Sequence, residues 1–184
     1  MGGVAKGLLE APEGQGTLLD RWRRVLGEAG VEVVLVGRHP AYASPARAAA
    51  LEVLDDDPAG VGPLGGLVAL LKRAADGARG GNGRALAFGC DMPFVSSGLV
   101  ARLLAAPEVP AVAPRRDSKW EPLCARYDAG RILPHALRQL AAGKHSLQGV
   151  LDDAGAVELP LGPGEAQQLR DWDTPADRGG PPDR

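Results

Sequence analysis

Cysteine is scarce, aromatic residues are scarce, positive charge is not in excess, and no apolar run is long. Two cysteines in 184 residues, Cys90 and Cys124, exclude a disulfide framework and a cysteine-based zinc site. Each lies in an apolar run, so both are expected to be reduced core fillers. Aromatics make up 4% of the chain, which leaves alanine, leucine and valine to build the core. Lysine and arginine total 21 against 23 acidic residues, a formal charge of -2, so no basic footprint points to nucleic acid. No segment reaches the ~18–20 apolar residues that span a bilayer. The N-terminus lacks a charged leader followed by an apolar run, so the expected setting is cytoplasmic, without a membrane partner. There is no Gly-x-Ser-x-Gly, and His39, His135 and His145 lack ligand spacing, which excludes a serine hydrolase and a histidine metal site.

What is present is alternation. The chain is long enough for one domain that buries roughly 70% of its unfolded surface. Leu18, Leu19, Trp22, Val25 and Leu26 have helical spacing within 17–29, and Gly30 follows as a C-cap. Strands are expected at 31–36, 51–54, 84–89, 109–113 and 123–127, with an edge strand at 157–161. Helices are expected at 45–50, 67–75, 97–105, 131–142 and 146–153, with Ser96 or Ser97 capping the third. Residues 60–66 and 115–121 read as loops. This pattern predicts an α/β fold with a mostly parallel sheet and right-handed crossovers.

Several constellations carry chemistry. The apolar run Ala85-Leu86-Ala87 ends in Phe88-Gly89-Cys90-Asp91-Met92-Pro93-Phe94, so Asp91 stands at a strand's carboxyl end, where open α/β sheets bind ligands. A single carboxylate there suits Mg²⁺, held by one or two carboxylates plus substrate phosphates. Capping the next helix is the alternative role, but Ser96 and Ser97 are better placed for it. Gly2, Gly3 and Lys6 open the chain as a short phosphate cradle or as a plain flexible end. Asp55-Asp56-Asp57 before Gly62-Pro63-Leu64-Gly65-Gly66 combines acceptors for base or sugar donors with glycines that let a helix start close to a ligand. Asp173, before Thr174-Pro175, is a second acidic candidate or a helix cap.

In order, these motifs resemble the molybdenum cofactor guanylyltransferase family. The matches are Met1-Gly2-Gly3 with Lys6-Gly7, Asp56 with Gly62-Pro63-Leu64-Gly65-Gly66, and Cys90-Asp91-Met92-Pro93-Phe94. Glu121-Pro122-Leu123-Cys124-Ala125, Ser146-Leu147 and Asp173-Thr174-Pro175-Ala176-Asp177 complete the set. The resemblance implies a Rossmann-like three-layer sandwich of the nucleotidyltransferase type over 1–177, with 178–184 as a disordered tail. It implies transfer of GMP from Mg-GTP to the terminal phosphate of molybdopterin, with Mg²⁺ as cofactor. Lys6 and Asp91 would be catalytic, Asp56 would bind the guanosine, and Gly2, Gly3, Gly62, Pro63, Leu64 and Gly65 would line the nucleotide. Asp91 and Asp173 would hold the metal. Residues 115–121 and 144–148 are candidates for pterin-phosphate contacts. GTP and molybdopterin are the implied small-molecule partners, and molybdoenzyme chaperones or other cofactor-biosynthesis proteins the candidate protein partners.

Two departures from the family pattern matter. Ala5 stands where the family usually has Asp, and the chain starts at the Met of a loop that a first apolar strand normally precedes. The expectation is a start codon placed too far downstream or a shortened chain, with unpaired backbone on both neighbours of that strand. A cytidylyltransferase or sugar-phosphate nucleotidyltransferase of the same fold, or a non-catalytic adaptor, are the alternatives.

Overall fold

The fold is laid out by a computed structural model that describes residues 5–12, 14, 16–77 and 83–172. Helix α1 (Leu18–Glu28) starts at Thr17, whose hydroxyl accepts the Asp20 N–H while the Asp20 carboxylate accepts the Thr17 N–H. This reciprocal cap satisfies two donors that the first turn would otherwise leave open. The apolar spacing read from the sequence becomes the buried face: Leu18, Leu19, Trp22, Val25 and Leu26.

Strand β1 (Val34–Val36) is shorter than expected. Its parallel partner β2 (Glu52–Leu54), reached through α2 (Ala43–Ala48), starts only at Glu52, because the Leu51 N–H turns back to the Ala46 carbonyl at 2.9 Å. Helix α3 (Pro63–Gly77) then returns the chain to β3 (Arg84–Phe88). The helix begins at Pro63, so Gly65 and Gly66 form its first turn and are not part of a loop. Helix α4 (Ser97–Ala105) is capped by the Ser96 hydroxyl, which accepts the Leu99 N–H at 3.3 Å. After β4 (Ala111–Ala113), the stretch expected as a loop is a hairpin of β5 (Arg115–Arg116) and β6 (Lys119–Trp120). Its tip residues Asp117 and Ser118 both take positive φ, the geometry that matches strand twist in a two-residue turn. Strand β7 (Cys124–Asp128), α5 (Ala129–Ala141), α6 (Leu147–Asp153), β8 (Val157–Glu158) and a further short helix, α7 (Glu165–Gln168), complete the order.

The main sheet runs β3-β7-β4-β8. Strand β7 is antiparallel to both neighbours and β4 is parallel to β8, so β7 alone runs against the rest. Helix α3 orients the remaining pair. At its end Arg73 bonds Glu32 and Glu52, at the starts of β1 and β2, while a Cβ on Gly83, just ahead of β3, would fall 1.9 Å from the Ala74 carbonyl. All three strands therefore begin together and run the same way.

Alternation along the strands makes three layers. Ala87, Ala111, Ala113, Ala125 and Tyr127 pack with α3, α5 and α6, whereas Phe88, Val112 and Cys124 pack with α1 and α4. The architecture is a Rossmann-like α/β sandwich. Strands β1 and β3 line one cavity of about 550 Å³ from opposite sides, and among the described residues neither has a strand partner on that edge. No described helix is long and apolar enough to cross a membrane.

Candidate active site

The carboxyl ends of β2 and β3 deliver two aspartates to this cavity, Asp56 and Asp91. In the triplet after β2 the outer members are neutralised. Asp55 takes a bidentate bond from Arg38 (2.5 and 2.9 Å), which holds its carboxyl below the usual range, and Asp57 pairs with Lys72 at 2.6 Å. Asp56 has no ion-pair partner among the described residues and is left at the cavity wall. Gly65 is required beside it, since a Cβ there would lie 2.4 Å from the Pro58 carbonyl, and Gly66 packs tightly, since a Cβ there would lie 3.2 Å from Asp56 Oδ1.

Asp91 Oδ2 accepts a bond from Lys6 Nζ at 2.7 Å, with both side chains about one-quarter exposed (25% and 27%). Three neighbours shape this pair. The Gly7 N–H donates to the Tyr42 hydroxyl at 2.8 Å, holding the turn that carries Lys6. A Cβ on Gly89 would come within 2.8 Å of Asp91 Oδ1. The Trp172 N–H donates to the Asp91 carbonyl at 2.8 Å, bringing the far end of the chain against this strand end. Burial pushes the Tyr42 hydroxyl's pKa up, and the nearby Cys90 and Asp91 add to the rise.

The structure brings Lys6, Asp56, Pro63 and Asp91 to one end of the fold, and places other candidates elsewhere. Leu64, on the buried face of α3, is fully buried, so its side chain serves the core and does not line the cavity. Gly62 is exposed, at φ +66°, and supplies the turn into α3. Gly65 is buried and packs closely against the Pro58 carbonyl. Gly2, Gly3 and Asp173 lie outside the described residues, as does the expected tail. Cys124 is buried, with its thiol pushed up to about 12 by burial, but Cys90 is exposed and lines the cavity, because β3 stops before it.

The two segments proposed for acceptor contacts meet. Gln148 brackets the backbone of Trp120, accepting its N–H at 2.9 Å and donating to its carbonyl at 2.7 Å, while the Trp120 indole donates to Asp152. Arg116 bonds Glu121 (2.7 Å), the Leu169 carbonyl (2.9 Å) and Asp171 (3.4 Å), tying this hairpin to the segment that ends on Trp172. Burial raises the Glu121 pKa; Arg116 opposes that rise and Asp171 adds to it. Arg116 lies in the loop 115–121 expected to meet the acceptor, whereas Tyr42 and Trp172 escaped the sequence reading. Their only signal was rarity, an aromatic in polar surroundings.

The profile of the MobA-like NTP transferase domain matches residues 1–157. The chain belongs to that family. Among its relatives, the molybdenum cofactor guanylyltransferase of Xanthomonas euvesicatoria is 33% identical over 130 residues, covering 70% of this chain and 59% of that protein. The chain thus spans less than two thirds of that relative's length. The probable molybdenum cofactor guanylyltransferase of Opitutus terrae is 32% identical over 167 residues, 88% of this chain and 80% of its own. The crystal structure of molybdopterin-guanine dinucleotide biosynthesis protein A from Archaeoglobus fulgidus superposes with a TM-score of 0.74. It is 22% identical and covers 96% of this chain and 88% of its own. The fold also extends to 2-C-methyl-D-erythritol 4-phosphate cytidylyltransferase from Thermus thermophilus (TM-score 0.66, 17% identical, 94% and 90% covered).

The family's nucleotide chemistry raises the question of a divalent metal. Asp91 already holds a cation, the Lys6 ammonium, on a partly exposed carboxylate at the cavity. Among the described residues no three potential ligands cluster. That donor set fits Mg²⁺, which keeps waters and substrate phosphates as most of its ligands, and does not fit an all-protein cage.

Proposed function

We propose that this chain is a nucleotidyltransferase that joins GMP from Mg-GTP to the terminal phosphate of molybdopterin and releases pyrophosphate. The observation that carries this reading is the Lys6–Asp91 pair at the carboxyl end of β3, on the cavity that also takes Asp56. The names of the sequence relatives support the choice of substrates.

In this reading Lys6 binds the triphosphate as a compact positive charge. Asp56, the uncompensated member of its triplet, accepts hydrogen bonds from the N–H donors of the base. Asp91 would hold Mg²⁺, with Asp173 proposed as its second carboxylate. Bound Mg²⁺ would neutralise charge at the reacting phosphates. A pterin-phosphate oxygen attacks the α-phosphorus in line, the bond to the β-phosphate oxygen breaks, and pyrophosphate leaves. No protein nucleophile is needed, so catalysis comes from positioning and charge neutralisation. The proposed setting is the cytoplasm, with delivery of the product to cofactor-biosynthesis partners.

Turnover with molybdopterin and either GTP or CTP tests the assignment, alongside calorimetric titration of Mg-GTP. Asp91→Asn is expected to lower kcat by about 10²-fold or more with the fold intact. Lys6→Ala is expected to weaken GTP binding about tenfold, the loss of one charge-assisted contact. Near-normal turnover of Asp91→Asn would remove that residue from the mechanism. Faster turnover with CTP would make the enzyme a cytidylyltransferase, and a well-folded sample that binds no Mg-GTP would be an adaptor.

A further inference from the structure

We infer that Tyr42 is a positioning residue for Lys6: its hydroxyl fixes the turn that aims the lysine at the triphosphate. The inference rests on the nucleotidyltransferase reading of this site. Lys6 opens a single 3₁₀ turn (Lys6–Leu8), and the residue before it, where a capping side chain normally sits, is Ala5, which makes no side-chain bond. The Gly7 N–H is taken instead by the Tyr42 hydroxyl at 2.8 Å, across 35 residues of sequence. The cap of this turn is therefore supplied from outside it.

The contact is tight on both sides. A Cβ on Gly7 would lie 2.9 Å from the Tyr42 hydroxyl oxygen and 3.2 Å from its Cε1, so the ring takes the space a side chain there would need. Tyr42 is itself held in place. Its N–H donates to the His39 carbonyl at 3.0 Å, His39 Nδ1 accepts the Ala41 N–H at 3.2 Å, and the two rings meet edge to face at 5.9 Å. The Cys90 thiol, next in sequence to Asp91, is a further polar neighbour of the hydroxyl. One buried oxygen thus stands where the lysine turn, the 39–42 turn and the end of β3 converge. Its raised pKa keeps it protonated at neutral pH, so it serves as a neutral bonding partner and not as a base. Packing does not need the oxygen, since phenylalanine would fill nearly the same volume. What the oxygen adds is a bond that restrains the backbone of the lysine turn before the nucleotide arrives, and such preorganisation lowers the cost of binding.

Calorimetric titration of Mg-GTP into the unaltered chain, Tyr42→Phe, Lys6→Ala and the double variant tests this. Tyr42→Phe is expected to weaken binding about fivefold, and the double variant to bind as Lys6→Ala does, because effects that run through one group do not add. Exchange of the Gly7 amide is expected to quicken about tenfold in Tyr42→Phe. Asp128→Ala removes the cap of α5, at the opposite end of β3, and is expected to lower stability while leaving the affinity unchanged. Unchanged affinity in Tyr42→Phe would overturn the inference and leave the proposed function standing. So would additive losses in the double variant, or equal weakening by Asp128→Ala, either of which would make the role of Tyr42 structural only. An unaltered chain that binds no Mg-GTP would overturn the proposed function and this inference together.

Discussion

Arg126 shows how one residue can hide its purpose in a sequence. It lies in β7, between two residues that face the core, and is only 2% exposed. Its guanidinium donates to the carbonyls of Leu103, Leu104, Ala106 and Pro107, where α4 ends. The last turn of a helix leaves its carbonyls without partners, and this side chain supplies them. Burial and the nearby Arg84 lower the pKa of Arg126, while Glu108 and Asp128 oppose that shift. Arg126→Met is expected to destabilise the fold by about 3 kcal/mol, because the carbonyls stay buried and unpaired. Denaturant titration measures this, and a loss below about 1 kcal/mol would show that water replaces the guanidinium. Asp56 carries the same lesson at the cavity. The residue types offered three adjacent carboxylates and the family resemblance singled out Asp56; the positions of Arg38 and Lys72 give the physical reason that this one is left for a ligand.

Among the elements, α1 was legible almost to the residue because its signals are local: apolar positions at helical spacing and a cap that bonds within its own first turn. The capping box also gives α1 a pH dependence. Bonds from the Thr17 backbone and hydroxyl lower the Asp20 pKa, and the nearby arginines contribute. A depressed carboxylate stabilises the fold above its unfolded-state pKa, and that contribution disappears as pH falls through the folded value. The melting temperature of Asp20→Ala is therefore expected to fall less than that of the parent from about pH 5 to about pH 3. Identical slopes would remove Asp20 from the acid response. Thr17→Ala is expected to cost about 1 kcal/mol at neutral pH. The β5–β6 hairpin was read as a loop because its strands are two residues long and polar. What holds it is non-local: Gln148 and Asp152 of α6 grip Trp120, and Arg115 lies over the Trp120 ring at 3.8 Å.

Across the whole molecule, stability is expected to be uneven. Among the described residues, strands β4 and β7 are paired on both edges, whereas β1 and β3 are each paired on one and line a cavity. Amides at 124–127 should exchange near the global unfolding limit, while those at 34–36 exchange through local opening at least about tenfold faster. Uniform protection of both regions would contradict this. The alternation of apolar runs with helical periodicity by itself determined the α/β class and the strand-end position of Asp91, because each depends on neighbours within a dozen residues, while the family resemblance came from short motifs in order along the chain. Tertiary structure alone decided that β7 runs against its neighbours and that Leu64 belongs to the core. It also decided that Tyr42 and Trp172 come to Gly7 and Asp91, beside and within the Lys6–Asp91 pair, from 35 and 81 residues away. Those contacts join segments whose separation carries no periodic or spacing signal, so only the closed packing of the sheet and its helices brings them together.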